Sequence, residues 1–327
     1  MTDLASQAAA QVALHDVDKV TRRHGLDLVP AADLEAFDQG YALLNEQFGP
    51  TGEIERYETL RDWFLAGSLS PPGAPIPAWY HMILARGPDG ALAGVRDCFV
   101  TVDAVAGRAV VLLSHSYVAP PFRRGGLAAL LRGVPVVLAR QALERAGRPD
   151  GEILLAAEME MVTPRDRDSV IRLVAYGRAG FQVIPPQALP YAQPDFRDLA
   201  HLGLAAEPLP FLCLVRQVGQ EGLTTISHAR ARAFVEHIQA VHRCHTDPAQ
   251  LELIRAHALG ALERDPRDPL PLIQPPADIA QVERLQPLLR SVVFPLYPAA
   301  WRGREPLAEP SAELSGLVAA WTREPSP

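Results

Sequence analysis

The apolar residues of this chain follow two periods. Runs 79–86 (WYHMILAR), 92–103 (LAGVRDCFVTVD) and 109–118 (AVVLLSHSYV) are rich in β-branched and aromatic residues. The segments GPDG and AVAGR between them are turn formers, so the pattern predicts an antiparallel meander. From 126 to 145 the period becomes helical, with Leu127, Leu130, Leu131, Val134 and Leu138 on one stripe. Pro135 lies inside that helix and is expected to kink it. Upstream, the pattern predicts an amphipathic helix over 3–24, a strand at Leu26–Val29, a helix capped by Asp33 and ending before Gly49, and a helix over 55–66. Downstream it predicts a strand at 152–161, a helix at 169–180 ending in glycine, and strands at 181–184 and 211–217. A long loop, 185–210, joins these last two strands; loops of such length are often functional, and Tyr191 and Gln193 within it are candidates to contact a substrate.

Beyond 219 the character changes. Residues 227–263 read as two helices broken near Asp247–Pro248, and proline-rich sequence follows. The expected organisation is an N-terminal helical extension (1–25), a central α/β domain (26–218) and a mainly helical, Pro-rich C-terminal extension (219–327). The apolar stripe Ala231, Phe234, Val235, Ile238 and Val241 should pack on the central domain or on a second copy, so a homodimer is one expectation.

Composition narrows the classes. With 48% hydrophobic and 21% charged residues the chain can bury a core and is not a disordered protein. A net charge of −7 argues against a dedicated nucleic-acid binder. No apolar stretch reaches the roughly 18 residues of a membrane span, and the N-terminus lacks the pattern of a signal peptide. The three cysteines, Cys98, Cys213 and Cys244, are too scattered for a disulfide framework. The expectation is a cytoplasmic protein that engages neither membrane nor nucleic acid.

The chemistry is concentrated at the junction of strand 109–118 and helix 126–145, in Tyr117-Val-Ala-Pro-Pro-Phe-Arg-Arg-Gly-Gly-Leu-Ala128. Adjacent glycines at a helix start leave backbone N–H groups pointing outward, and the helix dipole makes the position attractive to an anion. Arg123 and Arg124 add charge suited to phosphate. Residues alone therefore indicate a phosphate or diphosphate cradle.

The spacing Arg123-x-x-Gly126-x-Ala128 resembles motif A of the GNAT acetyltransferase superfamily. Tyr176-Gly-Arg-Ala-Gly180-Phe181 is similar to the Tyr-x-x-x-Gly-Phe that closes a later helix in that family. The resemblance covers about residues 26–217. It implies the GNAT acyl-CoA N-acyltransferase fold: a mixed, twisted sheet whose strands 109–118 and 152–161 splay around acetyl-CoA. Val118 would face the pantetheine arm, and the amides from Arg124 through Gly125, Gly126 and Leu127 to Ala128 would hold the pyrophosphate. A backbone N–H of strand 109–118 would polarise the acyl carbonyl. Tyr176 matches the tyrosine that protonates the leaving thiolate. Ser169 stands where many members carry Asn and would still reach the pantetheine.

The general base is open among three residues. Glu158 and Glu160 share one face of strand 152–161, and two carboxylates there are costly unless they meet water, a cation or each other. His115, of opposite parity to Ser114 and Ser116, is the third. His228, His237, His242, Cys244 and His245 crowd one region without a zinc spacing and read as solvated helix residues; no metal is expected. Motifs for dinucleotide binding, a Walker loop, HExxH and GxSxG are missing. These readings converge on an acetyl-CoA-dependent N-acetyltransferase acting on a small-molecule or peptide amine. The rival is a non-catalytic CoA-binding or regulatory module.

Overall fold

The computed structural model describes residues 4–12, 27–30, 32–87, 89–160, 167–195, 207–276, 278–280, 282 and 293–302. Helices and strands are mixed, which is the α/β class expected. The described residues fall into two compact units, one up to Leu155 and the other from Ala156 on.

In the first unit, strands β1 (Asp27–Pro30), β2 (Ala78–Arg86), β3 (Leu92–Asp103) and β4 (Arg108–Val118) form the expected meander, each antiparallel to the next. Strand β5 (Glu152–Glu160) begins in this unit and runs on into the second; Met161 lies outside the described residues. Helix α1 is Leu4–Ala9, and the remainder of the expected 3–24 helix, from residue 13, lies outside the described residues. Helix α2 is Leu34–Phe48, and the Asp33 carboxylate caps it by accepting the Ala36 N–H at 2.9 Å. Helix α3 is Tyr57–Ala66. Its Phe64 stacks on Phe37 of α2, with centroids 5.0 Å apart.

Helix α4 (Leu127–Arg145) runs unbroken through Pro135. Its expected stripe is the core: Leu127, Leu130, Leu131, Val134 and Leu138 are all buried. Gly133 sits where α1 crosses. A Cβ there would stand 2.2 Å from the Ala8 carbonyl oxygen, so only glycine permits this backbone approach.

In the second unit, β5 lies beside β8 (Leu209–Gln217), which pairs antiparallel with both β6 (Gln182–Val183) and β7 (Ala192–Gln193). The expected open loop 185–210 therefore carries a short strand; its residues 196–206 lie outside the described residues. Helix α5 is Arg167–Arg178. Helices α6 (His228–His242) and α7 (Pro248–Arg264) break where the sequence placed the break, with Asp247 capping α7 through the Gln250 N–H at 3.1 Å. An unexpected two-stranded pair joins β9 (Thr225–Ile226) and β10 (Leu270–Pro271). Residues 156–195 and the start of the C-terminal extension thus belong to one unit, and the stripe from Ala231 to Val241 is at most 1% exposed in the single chain.

Candidate functional site

Strand β4 ends at Val118, and a short 3-10 turn, Pro120–Phe122, leads to α4. In the link Arg124 has φ +64° and Gly126 φ +85°. Arg124 is the one non-glycine residue with positive φ among those described. A left-handed arginine costs about 1–2 kcal/mol, and such strain clusters at functional positions. Left-handed steps turn successive amides to one side, making an anion-binding concavity. Among the described residues, the N–H groups of Arg124, Gly125, Gly126, Leu127 and Ala128 meet no protein acceptor. The first inward-bonded amides are Ala129 and Leu130, both to the Gly126 carbonyl, at 3.0 and 3.2 Å. The side chain of Arg124 is exposed beside this turn.

Arg123 also makes a contact within the chain. Its Nε donates to the Val118 carbonyl at 2.9 Å, and its guanidinium stands 5.6 Å from the centre of the Tyr117 ring. It braces the end of β4. Gly94 of β3 supports the same junction: a Cβ there would lie 2.7 Å from the Tyr117 carbonyl oxygen.

Further back along β4 the ladder with β3 is irregular. Arg96 pairs with Ser116 and Cys98 with Leu113, so Asp97 alone faces both Ser114 and His115. The Asp97 carboxylate fills the step. Its Oδ1 accepts the His115 backbone N–H at 2.6 Å, and its Oδ2 accepts the Tyr80 hydroxyl at 3.0 Å and meets His115 Nδ1 at 3.1 Å. His115 Nε2 lies 2.8 Å from the Glu53 carbonyl oxygen, in the segment between α2 and α3. Burial alone would lower the His115 pKa, but the Asp97 charge and hydrogen bond override it and raise it to about 9. An imidazole already protonated near neutral pH, with both nitrogens engaged, has no capacity to accept a proton from an amine.

In the second unit, Glu158 and Glu160 lie on one strand face but in different settings. Glu158 is buried, its side chain 5% exposed. Its Oε1 accepts the Tyr191 hydroxyl and meets His242 Nε2 at 2.9 Å, and its Oε2 accepts Gln193 Nε2 at 3.0 Å. Burial works to raise its pKa, yet the His242 charge and these donors hold it below the usual value. This is a fixed anion, poorly suited to act as a base. Glu160 is partly exposed and ion-paired with Arg172. Tyr176 is half-buried, its ring edge-on to Phe181 at 5.1 Å, and Ser169 is fully buried.

Tyr191 and Gln193, expected at an acceptor, instead hold Glu158. The histidine-rich stretch is also corrected: His237 and His242 are 1% and 2% exposed, and His242 Nδ1 lies 3.3 Å from His245 Nε2. Sequence reasoning missed Asp97 and His242. The available signal was a charged Arg96–Asp97 step inside an otherwise apolar strand, which demands buried partners. Among the described residues no group of His, Cys, Asp or Glu is placed to hold a metal ion, and no helix is long and apolar enough to cross a membrane.

These histidines set a pH dependence with two limbs. His245, by burial and the His242 charge, is lowered to about 3, and His81, by burial and Arg145, to about 4. Each favours the folded state above its ordinary 6.5, and that stability is lost as pH falls toward the folded value. His115 has the opposite sign: its contribution is complete below 6.5 and lost as pH rises through about 9. Thermal unfolding followed from pH 4 to 10 should show a maximum Tm near pH 6.5, with His115→Gln removing the alkaline limb. A Tm flat across this range would refute the assignment.

No family model and no curated relative matches the sequence. Solved structures do. One is the GCN5-related glucosamine N-acetyltransferase region of a fungal multi-domain GH3 β-N-acetylglucosaminidase: 15% identity, 48% of this chain, 17% of that chain, TM-score 0.34. A GNAT-family acetyltransferase from Staphylococcus aureus Mu50 is 10% identical over 59% of this chain and 99% of its own, TM-score 0.34. A GCN5-related N-acetyltransferase from Sphaerobacter thermophilus is 19% identical over 51% of this chain and 50% of its own, TM-score 0.29. At such values the chemistry has to be read from this chain's own residues.

Proposed function

We propose that this chain is an acyl-CoA-dependent N-acyltransferase, with acetyl-CoA as donor and a small-molecule or peptide amine as acceptor. The supporting observation is the left-handed turn at Arg124 and Gly126, whose outward amides open a long helix directly after a strand end. Several amides, a helix dipole and an exposed arginine suit a pyrophosphate, which a neutral acyl donor would not require. In the reaction the amine nitrogen attacks the thioester carbonyl carbon, the C–S bond breaks, and the acyl group passes to nitrogen. The CoA thiolate leaves and takes a proton, for which Tyr176 is the assigned donor. The amine must lose a proton. With Glu158 and His115 held in buried pairs, Glu160 or a water takes that role.

The commitment of Glu158 and His115 also favours a second reading, in which the cradle binds acyl-CoA and no transfer follows. The two separate cleanly. Calorimetry with acetyl-CoA reports binding, and thiol release with a broad amine panel reports transfer. Binding with amine-dependent release supports the enzyme; binding without release supports the module; neither result with any acyl-CoA overturns both.

Tyr176→Phe keeps the ring on Phe181 and removes the hydroxyl. If Tyr176 donates the proton, kcat should fall about 10²–10⁴-fold, with Tm little changed. An unchanged kcat would leave the residue a packing role alone.

A further inference from the structure

The irregular step between β3 and β4 lies in the strand that leads into the cradle, and one carboxylate organises it. We propose that Asp97 is a positioning residue: it holds the Ser114–His115 bulge, and through it the backbone direction of Ser116–Val118 and the placement of the Glu53 segment. The proposal rests on the acyl-transfer reading for its effect on turnover, and on geometry alone for its effect on the strand.

The geometry is specific. A bulge leaves a residue out of the ladder, and its freed backbone donor must find another acceptor. Here the His115 N–H finds Asp97 Oδ1 at 2.6 Å. The other oxygen orients the imidazole from below, at 3.1 Å, so that Nε2 reaches the Glu53 carbonyl at 2.8 Å. Tyr80, from the neighbouring strand β2, donates to the same oxygen at 3.0 Å and fixes the carboxylate rotamer. Phe48, at the end of α2, packs on the imidazole with centroids 5.2 Å apart. Asp97 is completely buried, so a water cannot replace these contacts without rearrangement. A bulge supported only by hydrophobic neighbours could slip by one residue, which would turn Ser116 and Val118 to the opposite face. The carboxylate removes that freedom because it binds the backbone and the side chain of the same residue. Besides Asp97 and Tyr80, the titratable group acting on His115 is Glu55, from the segment between α2 and α3.

The test compares wild type, Asp97→Asn and Tyr80→Phe as full chains. Asparagine is nearly isosteric but cannot accept at both oxygens, and Tyr80→Phe frees the carboxylate rotamer while leaving its charge. Backbone NMR should show shifts concentrated at Ser114–Val118 and Glu53 in Asp97→Asn, and smaller shifts at the same residues in Tyr80→Phe. The His115 ring should titrate near 9 in wild type and fall toward 6.5 or lower in Asp97→Asn. If transfer occurs, kcat should fall about 10²-fold, the usual cost of an ångström-scale misplacement, while the acetyl-CoA Kd stays within about twofold. The kcat profile of Asp97→Asn should then show its His115 transition displaced to lower pH, a change that mere loss of stability would not produce. Unshifted Ser114–Val118 amides in both variants overturn the proposal. So does a folded Asp97→Asn protein with wild-type kcat, or one in which kcat and affinity fall together. A wild type that transfers nothing would defeat the acyl-transfer reading alone, since the NMR results still decide the role of Asp97.

Discussion

Gly126→Glu should remove acyl-CoA binding while the chain stays folded. Glycine at this position does two things. It adopts φ +85°, which costs another residue about 1–2 kcal/mol, and it leaves the amides behind it open to an anion. A glutamate adds a negative charge and a side chain where a pyrophosphate must lie. Loss of two charge-assisted contacts should weaken binding by about 2 kcal/mol or more, roughly 30-fold, before repulsion is counted. Conformational strain is separated by a control at Gly73, which has φ +80° and open space around its missing Cβ. Gly73→Glu should show a small drop in Tm with unaltered affinity. Gly126→Asn, which tolerates the left-handed region, should retain most of the binding. Calorimetry that finds acetyl-CoA affinity unchanged in Gly126→Glu would remove this turn from the donor site.

The sequence made the regular elements legible because each hides one periodic face. The Leu127–Leu138 stripe and the 79–118 meander are cases where period and burial agree, and the helix break at Asp247–Pro248 was marked by a capping aspartate. The left-handed turn at Arg124 and Gly126 lies where adjacent glycines precede the helix, a signal set by local backbone chemistry. What escaped depends on contacts distant in sequence. Period 2 placed Glu158 and Glu160 on one face, yet nothing local distinguishes a carboxylate bound by Tyr191, Gln193 and His242 from one paired with Arg172 near the surface. His242 read as a solvated helix residue because its helix carries polar groups all along it. Its partner is 84 residues away. Arg123 read as a phosphate ligand because charge next to glycines is the usual sign; the Val118 carbonyl that its Nε reaches became visible only once the turn was built.

The Glu158–His242 pair carries the largest expected effect on stability. Both side chains are nearly excluded from solvent, at 5% and 3% exposure. Removing one member of a buried hydrogen-bonded pair leaves the other's polar group unsatisfied, at a cost of about 1–3 kcal/mol, whereas replacing both is much better tolerated. Glu158→Gln should therefore lower the unfolding free energy by about 2 kcal/mol, because Gln193 and Tyr191 can still bond an amide while His242 loses its contact with a carboxylate. The double variant Glu158→Gln/His242→Gln, an amide facing an amide, should recover part of that loss. A double-mutant cycle in urea should give a coupling of at least about 1.5 kcal/mol. Acid sensitivity offers an independent reading. The Glu158 carboxyl is held below its ordinary 4.5, so the stability this carboxylate contributes is complete above that value and is lost as pH falls through the lower folded one. That acid phase should be missing in Glu158→Gln. An unfolding free energy of the glutamine variant within about 0.5 kcal/mol of wild type, as for a surface substitution, would sink the buried-pair assignment, and turnover lost in that folded variant would return Glu158 to the reaction.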